Sequence, residues 1–186
     1  GFESNAAAAA IVPPAGTATG TGPVLLVDPA QNNAFRAINR TWKAGGAVKF
    51  VAASGGKGAR YALAGLPAAS ATELVSALAL QAERAAVAGG TEVKKPRIGL
   101  YRPWQPSMDE GWTRWVLEQY GFDYINLAPG DLHGATALAE RIDVLVIADE
   151  ARGLMDGFAT GVVPPQYAGG INADAVSEIY TFVRGG

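Results

Sequence analysis

The sequence contains no cysteine and only one histidine among its 186 residues. Without cysteine, the chain cannot form a disulfide, a cysteine-ligated zinc site, an iron–sulfur cluster or a cysteine nucleophile. With a single histidine it cannot build a metal site that uses two histidines. No apolar run approaches the roughly 20 residues that a helix needs to cross a bilayer. We therefore expect no membrane span and assign no metal ligand in this chain.

Charge is also scarce. Charged residues make up 17% of the chain, and 15 Lys and Arg against 17 Asp and Glu give a net charge of −2. Proteins that bind nucleic acid usually carry a basic excess, so we expect no nucleic-acid partner. The hydrophobic fraction of 49% predicts a folded chain. The sequence begins at Gly1 without a basic and apolar leader, so we expect a fragment or a processed product.

The first 23 residues predict a flexible linker or tail. Residues 6–10 are all alanine, Pro13 and Pro14 follow, and a stretch rich in Gly and Thr leads to Pro23. This composition lacks the large apolar residues that build a core. Alternatively, the alanine run ends a helix of a preceding domain. We expect the ordered domain to span residues 24–186, possibly as two half-units, 24–90 and 97–186.

The first half-unit shows both strand and helix patterns. Apolar runs predict strands at residues 24–27, 47–53 and 60–63. Asn33 is a predicted cap for the helix between the first two strands. Ser70 and Glu73 have the spacing of a capping box, which predicts a second helix running to about Val87.

The second half-unit alternates strands and helices more clearly. Predicted strands at residues 98–101, 124–127 and 142–148 are separated by helical segments. Parallel strands need crossover connections, which helices supply. The pattern therefore predicts an α/β fold with an open, mostly parallel sheet, flavodoxin-like or Rossmann-like in outline. Because the chain stops directly after a helix, we expect this sheet to be truncated at its C-terminus.

Three helix features are specific enough to test in this half-unit. Ser107 and Glu110 form a second capping-box spacing. The helix behind them is predicted to bury Trp112 and Trp115. Asn172 is the predicted cap of the last helix.

Polar and aromatic side chains follow two of the predicted strands. Tyr101, Arg102 and Trp104 stand at the end of one strand, and Asp149 and Glu150 follow another. Ligands of open α/β sheets bind at the carboxyl ends of the strands. These five residues are therefore the candidate ligand-binding residues, for an anionic or aromatic ligand. The alternative is that they are ordinary polar residues of loops.

Other motifs do not define a catalytic site. Residues 55–58 read G-G-K-G, which lacks the spacing of a P-loop and predicts a turn. A serine hydrolase that uses His133 stays open as a weaker hypothesis, although no G-x-S-x-G elbow is present to carry a serine nucleophile. No catalytic residue is assigned.

Two sequence blocks resemble a known family. Residues 97–115 read RIGLYRPWQPSMDEGWTRW and residues 163–171 read VPPQYAGGI. Both look like blocks found downstream of the catalytic domain in large bacterial zinc carboxypeptidases. Residues 27–29 read V-D-P and, with Asn32, Phe35 and Asn39, are similar to the start of that region. The resemblance covers about residues 24–184 and implies a domain like the class I glutamine amidotransferases, with a flavodoxin-like sheet.

The resemblance limits what this chain is expected to do. The family's zinc site uses an H-x-x-E pair, a distant histidine and a catalytic glutamate, and no position here matches them. Amidotransferase chemistry needs a cysteine, which the chain lacks. The resemblance therefore implies a non-catalytic accessory domain without a cofactor of its own, with zinc held in the missing domain of the presumed parent.

The same resemblance bears on partners and compartment. It implies the parent's own peptidase domain as the partner and favours a secreted or periplasmic location. The alternative function is a small-molecule binding α/β module. Whether the chain has any enzymatic activity stays open at this point.

Overall fold

The computed structural model describes residues 14–86, 89–134 and 136–186. These residues fold into two compact units, one that ends at Lys94 and one that begins at Lys95. Each unit has its own hydrophobic core and contains both helices and strands, so the chain is α/β. The boundary between the predicted half-units, 24–90 and 97–186, falls near the same point of the sequence.

The first unit consists of a six-stranded sheet and two helices. Its elements are β1 (Thr17–Gly20), β2 (Val24–Val27), α1 (Asn32–Lys43), β3 (Ala47–Val51), β4 (Arg60–Ala64), α2 (Ala68–Ala77), β5 (Gln81–Ala85) and β6 (Thr91–Glu92). The strand order is β1-β5-β2-β4-β3-β6. Only β1 and β5 pair in parallel, and the other neighbours are antiparallel.

The parallel order predicted from the sequence is therefore not found in the first unit. β3 and β4 are joined by a short turn in which Ser54 and Lys57 bridge, and a connection without a helix brings the next strand back antiparallel. Alternation along β2 places Leu25 and Val27 in the core, where they are fully buried. Helix α1 adds Ile38 and helix α2 adds Leu74 to the same core.

Two other expectations for the first unit are corrected. β1 lies inside the segment 1–23 that was predicted to be a linker, while residues 1–13 lie outside the described residues. Helix α2 ends at Ala77 instead of Val87, and β5 occupies the place of its predicted last turns. This segment forms a strand because β5 gains backbone partners on both sides, from β1 and from β2.

The second unit is built on a three-stranded parallel sheet. Its elements are β7 (Ile98–Tyr101), α3 (Met108–Tyr120), β8 (Tyr124–Leu127), a 3-10 turn (Pro129–Leu132), α4 (Leu138–Arg141), β9 (Val144–Val146), α5 (Arg152–Asp156), a second 3-10 turn (Pro165–Tyr167) and α6 (Ala173–Gly185). The order is β8-β7-β9, with both pairs parallel. The predicted parallel arrangement is found here, with β9 shorter than the predicted 142–148.

The central strand β7 packs very closely against its neighbours. A Cβ placed on Gly99 would lie 2.5 Å from Leu127 Cδ1 and 3.1 Å from Ile142 Cδ1. Glycine is therefore the residue that allows the side chains of Leu127 and Ile142 to close over the middle of the sheet. Tyr101, at the end of the same strand, is fully buried in the core of the second unit.

Helix α3 forms as predicted, but two residues that were predicted to be buried on it are exposed. Ser107 Oγ accepts a hydrogen bond from Glu110 N at 3.1 Å, and Gly121 ends the helix in the left-handed conformation, with φ of 72°. The predicted burial of Trp112 and Trp115 is wrong, because they are 61% and 52% exposed. Their rings instead pack edge to face on each other, with centroids 6.0 Å apart.

Helix α6 begins as predicted, with Asn172 Oδ1 accepting a hydrogen bond from Ala175 N at 2.9 Å. Ala175 belongs to the core of the second unit and the half-buried Ile179 and Phe182 pack against it, while Tyr180 stays exposed. Among the described residues, no helix combines the length and the apolar character that crossing a membrane requires.

Candidate functional site

The predicted ligand-binding residues follow two neighbouring strands. Tyr101 is the last residue of β7, and Arg102 and Trp104 come directly after it. Asp149 and Glu150 follow β9. Because β7 and β9 pair in parallel, their carboxyl ends lie at the same edge of the sheet, where ligands of open α/β sheets bind.

Tyr101 and Glu150 are buried without hydrogen-bond partners. Their residues are 0% and 9% exposed. The Tyr101 hydroxyl and both carboxylate oxygens of Glu150 have no hydrogen-bond partner among the residues that the structure describes. A buried polar group left without a partner costs about 1–3 kcal/mol, and more when it is charged. The second unit therefore holds three unsatisfied acceptor or donor atoms at the carboxyl edge of its sheet.

The two side chains also interact electrostatically. Burial raises the pKa of Tyr101 to about 12, and the negative charge of Glu150 acts in the same direction. Both effects disfavour the phenolate. Tyr101 therefore keeps its proton at neutral pH and can either donate or accept a hydrogen bond.

A cleft opens where the chain leaves β7 for α3. Its volume is about 320 Å³. It is lined by Arg102, Pro103, Trp104, Gln105, Pro106, Ser107, Glu110 and Arg114. The backbone N–H of Arg102 donates to the carbonyl oxygen of Leu127 at 2.8 Å, which fixes the start of the cleft to β8.

Trp104 forms an aromatic pair in this loop. Its ring meets that of Tyr167 edge on, with centroids 5.1 Å apart and an interplanar angle of 84°. Such pairs contribute about 0.5–1.5 kcal/mol beyond the burial of their area. The contact joins the loop after β7 to the 3-10 turn Pro165–Tyr167, more than 60 residues later in the chain.

The charges of the cleft do not balance. Arg114 donates to the buried carboxylate of Glu110, one turn earlier on α3, so these two charges largely cancel. Arg102 is exposed and adds a further positive charge. The N-terminus of α3 lies at the same place and carries a partial positive charge. Asp109, in the first turn of α3, offsets part of this positive charge, so an anionic ligand would be bound mainly by Arg102.

The structure thus sorts the five candidate residues into three groups. Tyr101 and Glu150 form a buried pair, Arg102 and Trp104 line the cleft, and Asp149 is exposed and does not line it. Sequence reasoning did not single out Arg114 or Tyr167. Arg114 could have been found from the sequence, because it follows Glu110 by four residues, a spacing that favours an ion pair on a helix. No local pattern signalled the contact of Tyr167 with Trp104.

His133 lies elsewhere in the second unit. Its Nε2 is 3.4 Å from Asn172 Nδ2, at the start of α6. Within residues 14–86, 89–134 and 136–186, no group of three or more His, Cys, Asp or Glu residues is placed to hold a metal ion. The hypothesis of a serine hydrolase that uses His133 gains no support from these contacts.

Comparison of the chain with protein-family models, with curated proteins and with solved structures found no match. Its function is therefore inferred from the residues, contacts and sequence blocks described above.

Proposed function

We propose that the chain is a non-catalytic accessory domain of a zinc carboxypeptidase-like peptidase, which supports the peptidase domain or helps to bind its substrate. The proposal starts from the resemblance of residues 97–115 and 163–171 to blocks of such peptidases. Both blocks lie in the second unit, whose order β8-β7-β9 is also that of the first three strands of a flavodoxin-like sheet.

One observation carries the proposal furthest. Trp104 belongs to the first block and Tyr167 to the second, and their rings are in contact. Two segments that are distant in sequence and that share one resemblance therefore meet at the edge of one sheet. This is expected if both blocks serve a single surface in the family, whereas two chance resemblances would have no reason to meet.

The chemistry of the chain is consistent with a role that is not catalytic. With one histidine and no cysteine, the chain lacks the residues for the zinc site of the peptidases and for the nucleophile of the amidotransferases. On this proposal the zinc ion and its ligands belong to the parent's peptidase domain. The accessory domain contributes by contacting the peptidase domain or its peptide substrate.

The proposal can be tested with the purified chain and with the sequence that surrounds it. The chain supplied with zinc should release no C-terminal residues from peptides. An upstream segment with an H-x-x-E pair and a later histidine should be present in the complete protein. Zinc-dependent peptide cleavage by the chain alone, or an upstream sequence without such a pair, would contradict the proposal.

The cleft after β7 favours a second candidate function, a small-molecule binding module. Arg102, the N-terminus of α3 and the ring of Trp104 together suit an anionic ligand with a planar group. A ligand that binds only the folded state stabilises it by RT ln(1 + [L]/Kd), which is about 2.7 kcal/mol at 100 times the Kd.

A thermal-shift screen of anionic and aromatic metabolites tests this second function. Binding should be lost in Arg102→Ala and Trp104→Ala. Arg152→Ala is the matched control, because Arg152 is 93% exposed and pairs with Asp156 on α5, away from the cleft residues. A panel that produces no shift, or shifts that survive both cleft substitutions, would count against it.

A further inference from the structure

The buried pair of Tyr101 and Glu150 is not explained by either proposed function. Neither residue lines the cleft between β7 and α3, and their three buried polar atoms have no hydrogen-bond partner among the described residues. Burying an ionised carboxylate is costly unless an opposite charge and hydrogen bonds accompany it. Among the described residues no group donates to the two carboxylate oxygens of Glu150, so they lack the cationic donor that would offset their burial.

The basic side chains of the second unit do not supply that donor. Five of them form ion pairs with other acids, among them Arg97 with Asp143 and Arg114 with Glu110. Arg184 donates to the hydroxyl of Tyr180, and Arg102 is exposed at the cleft. None of the ion pairs found among the described residues includes Glu150.

We propose that Tyr101 and Glu150 form a binding site for a guanidinium group. Both oxygens of Glu150 are unoccupied, and a guanidinium presents two parallel N–H donors to such a carboxylate. The Tyr101 hydroxyl can accept a further N–H. An ammonium group would act as a point charge and match the two oxygens less well.

Access to the site is through the segment that carries Glu150. Residues 147–151 have no regular secondary structure, and the flanking Asp149 and Ala151 are exposed. The three polar atoms have almost no exposed surface, so the proposal requires this segment to move before a ligand can reach them. The guanidinium belongs either to free arginine or to an arginine side chain of a peptide.

Binding to the full chain is measured by calorimetry and thermal shift with matched probes. L-citrulline has the shape of L-arginine with a neutral urea group, so we expect L-arginine to bind at least tenfold more tightly. Nα-acetyl-L-arginine amide lacks the free termini of the amino acid. Tight binding of this probe indicates a peptide source, and binding of free L-arginine alone indicates a small-molecule source.

Three variants complete the test. Glu150→Gln should weaken L-arginine binding at least tenfold and Tyr101→Phe severalfold, while the matched Asp149→Asn should change it by less than twofold. The far-ultraviolet spectrum and melting temperature of each variant show that it is folded. No arginine binding, equal binding of arginine and citrulline, or binding that survives Glu150→Gln would overturn the site. Loss of arginine binding in Trp104→Ala but not in Glu150→Gln would place the ligand in the cleft instead and would also overturn the site.

Discussion

At the scale of single residues, the most informative feature is a buried carboxylate without a hydrogen-bond partner. Glu150 is 9% exposed, and neither of its oxygens is bonded. Its neighbour Asp149 carries the same charge but is exposed. The pair of adjacent acids therefore offers a comparison of the same carboxylate group in buried and in exposed surroundings.

We predict that Glu150→Gln stabilises the unliganded protein. Gln keeps the size of the side chain and removes the charge but leaves a buried amide without partners, so the free energy of unfolding should rise by only about 1 kcal/mol at neutral pH. Unfolding in urea measures the change, since guanidinium chloride would occupy the proposed site. Asp149→Asn should change the value by no more than about 0.5 kcal/mol. A loss of stability in Glu150→Gln would show that the carboxylate has a partner in the fold.

Tyr101 leads to a prediction about pH. Burial, together with the charge of Glu150, raises its pKa to about 12, above the ordinary value of 10. The folded state therefore holds this proton more tightly than the unfolded state does. The resulting stabilisation is complete below about pH 10 and is lost as the pH rises towards about 12.

The free energy of unfolding should therefore fall between about pH 10 and about pH 12, and Tyr101→Phe should remove part of this fall. The difference between the two proteins isolates Tyr101 from the other tyrosines, including Tyr124, whose pKa is also raised by burial. Parallel declines in the two proteins would mean that Tyr101 does not titrate differently on folding.

At the scale of elements, the sequence predicted most helices and strands but not every boundary. Helix α3 and strands β7 and β8 were predicted correctly, because caps and apolar runs are local signals. The extent of α2 was not, because β5 is stabilised by pairing with β1 and β2, which no local pattern records. The burial of Trp112 was wrong for a related reason, since periodicity identifies an apolar face without showing what covers it.

The two capping-box spacings give a direct test of local signals. Ser107 caps α3, whereas Ser70 lies inside α2, whose N-cap is Pro67. Ser107→Ala should lower the free energy of unfolding by about 1 kcal/mol, because the N–H of Glu110 loses its acceptor. Ser70→Ala should change it by at most about 0.5 kcal/mol, since alanine is a good helix former and no cap is lost. Equal effects in urea unfolding would contradict this assignment of the caps.

The same dependence on local sequence signals explains which part of the candidate site was predictable. The strand-end rule found Tyr101 and Glu150 because it depends only on where strands end. It could not separate them from Asp149, since burial depends on the residues that pack around a side chain, as in the cluster of Tyr101 with Leu127 and Ile142. Nor could it find Tyr167, whose contact with Trp104 depends on the path of a long loop.

At the scale of the whole molecule, the chain has two cores. Leu63 belongs to the core of the first unit and Leu127 to that of the second, and both are fully buried. Separate cores allow regions of a protein to open with separate free energies. Substitution of either leucine should therefore affect mainly the unit in which it lies.

We predict that Leu63→Ala and Leu127→Ala each destabilise their own unit by about 2–5 kcal/mol, because each leaves a cavity in a packed core. Hydrogen exchange locates the effect. Leu63→Ala should accelerate exchange most in β2, β3 and β4, and Leu127→Ala most in β7, β8 and β9. Val183→Ala is the control, since Val183 is 69% exposed and should leave exchange nearly unchanged. If either core substitution accelerates exchange equally in both sheets, the two cores open as a single cooperative structure and are not energetically separate.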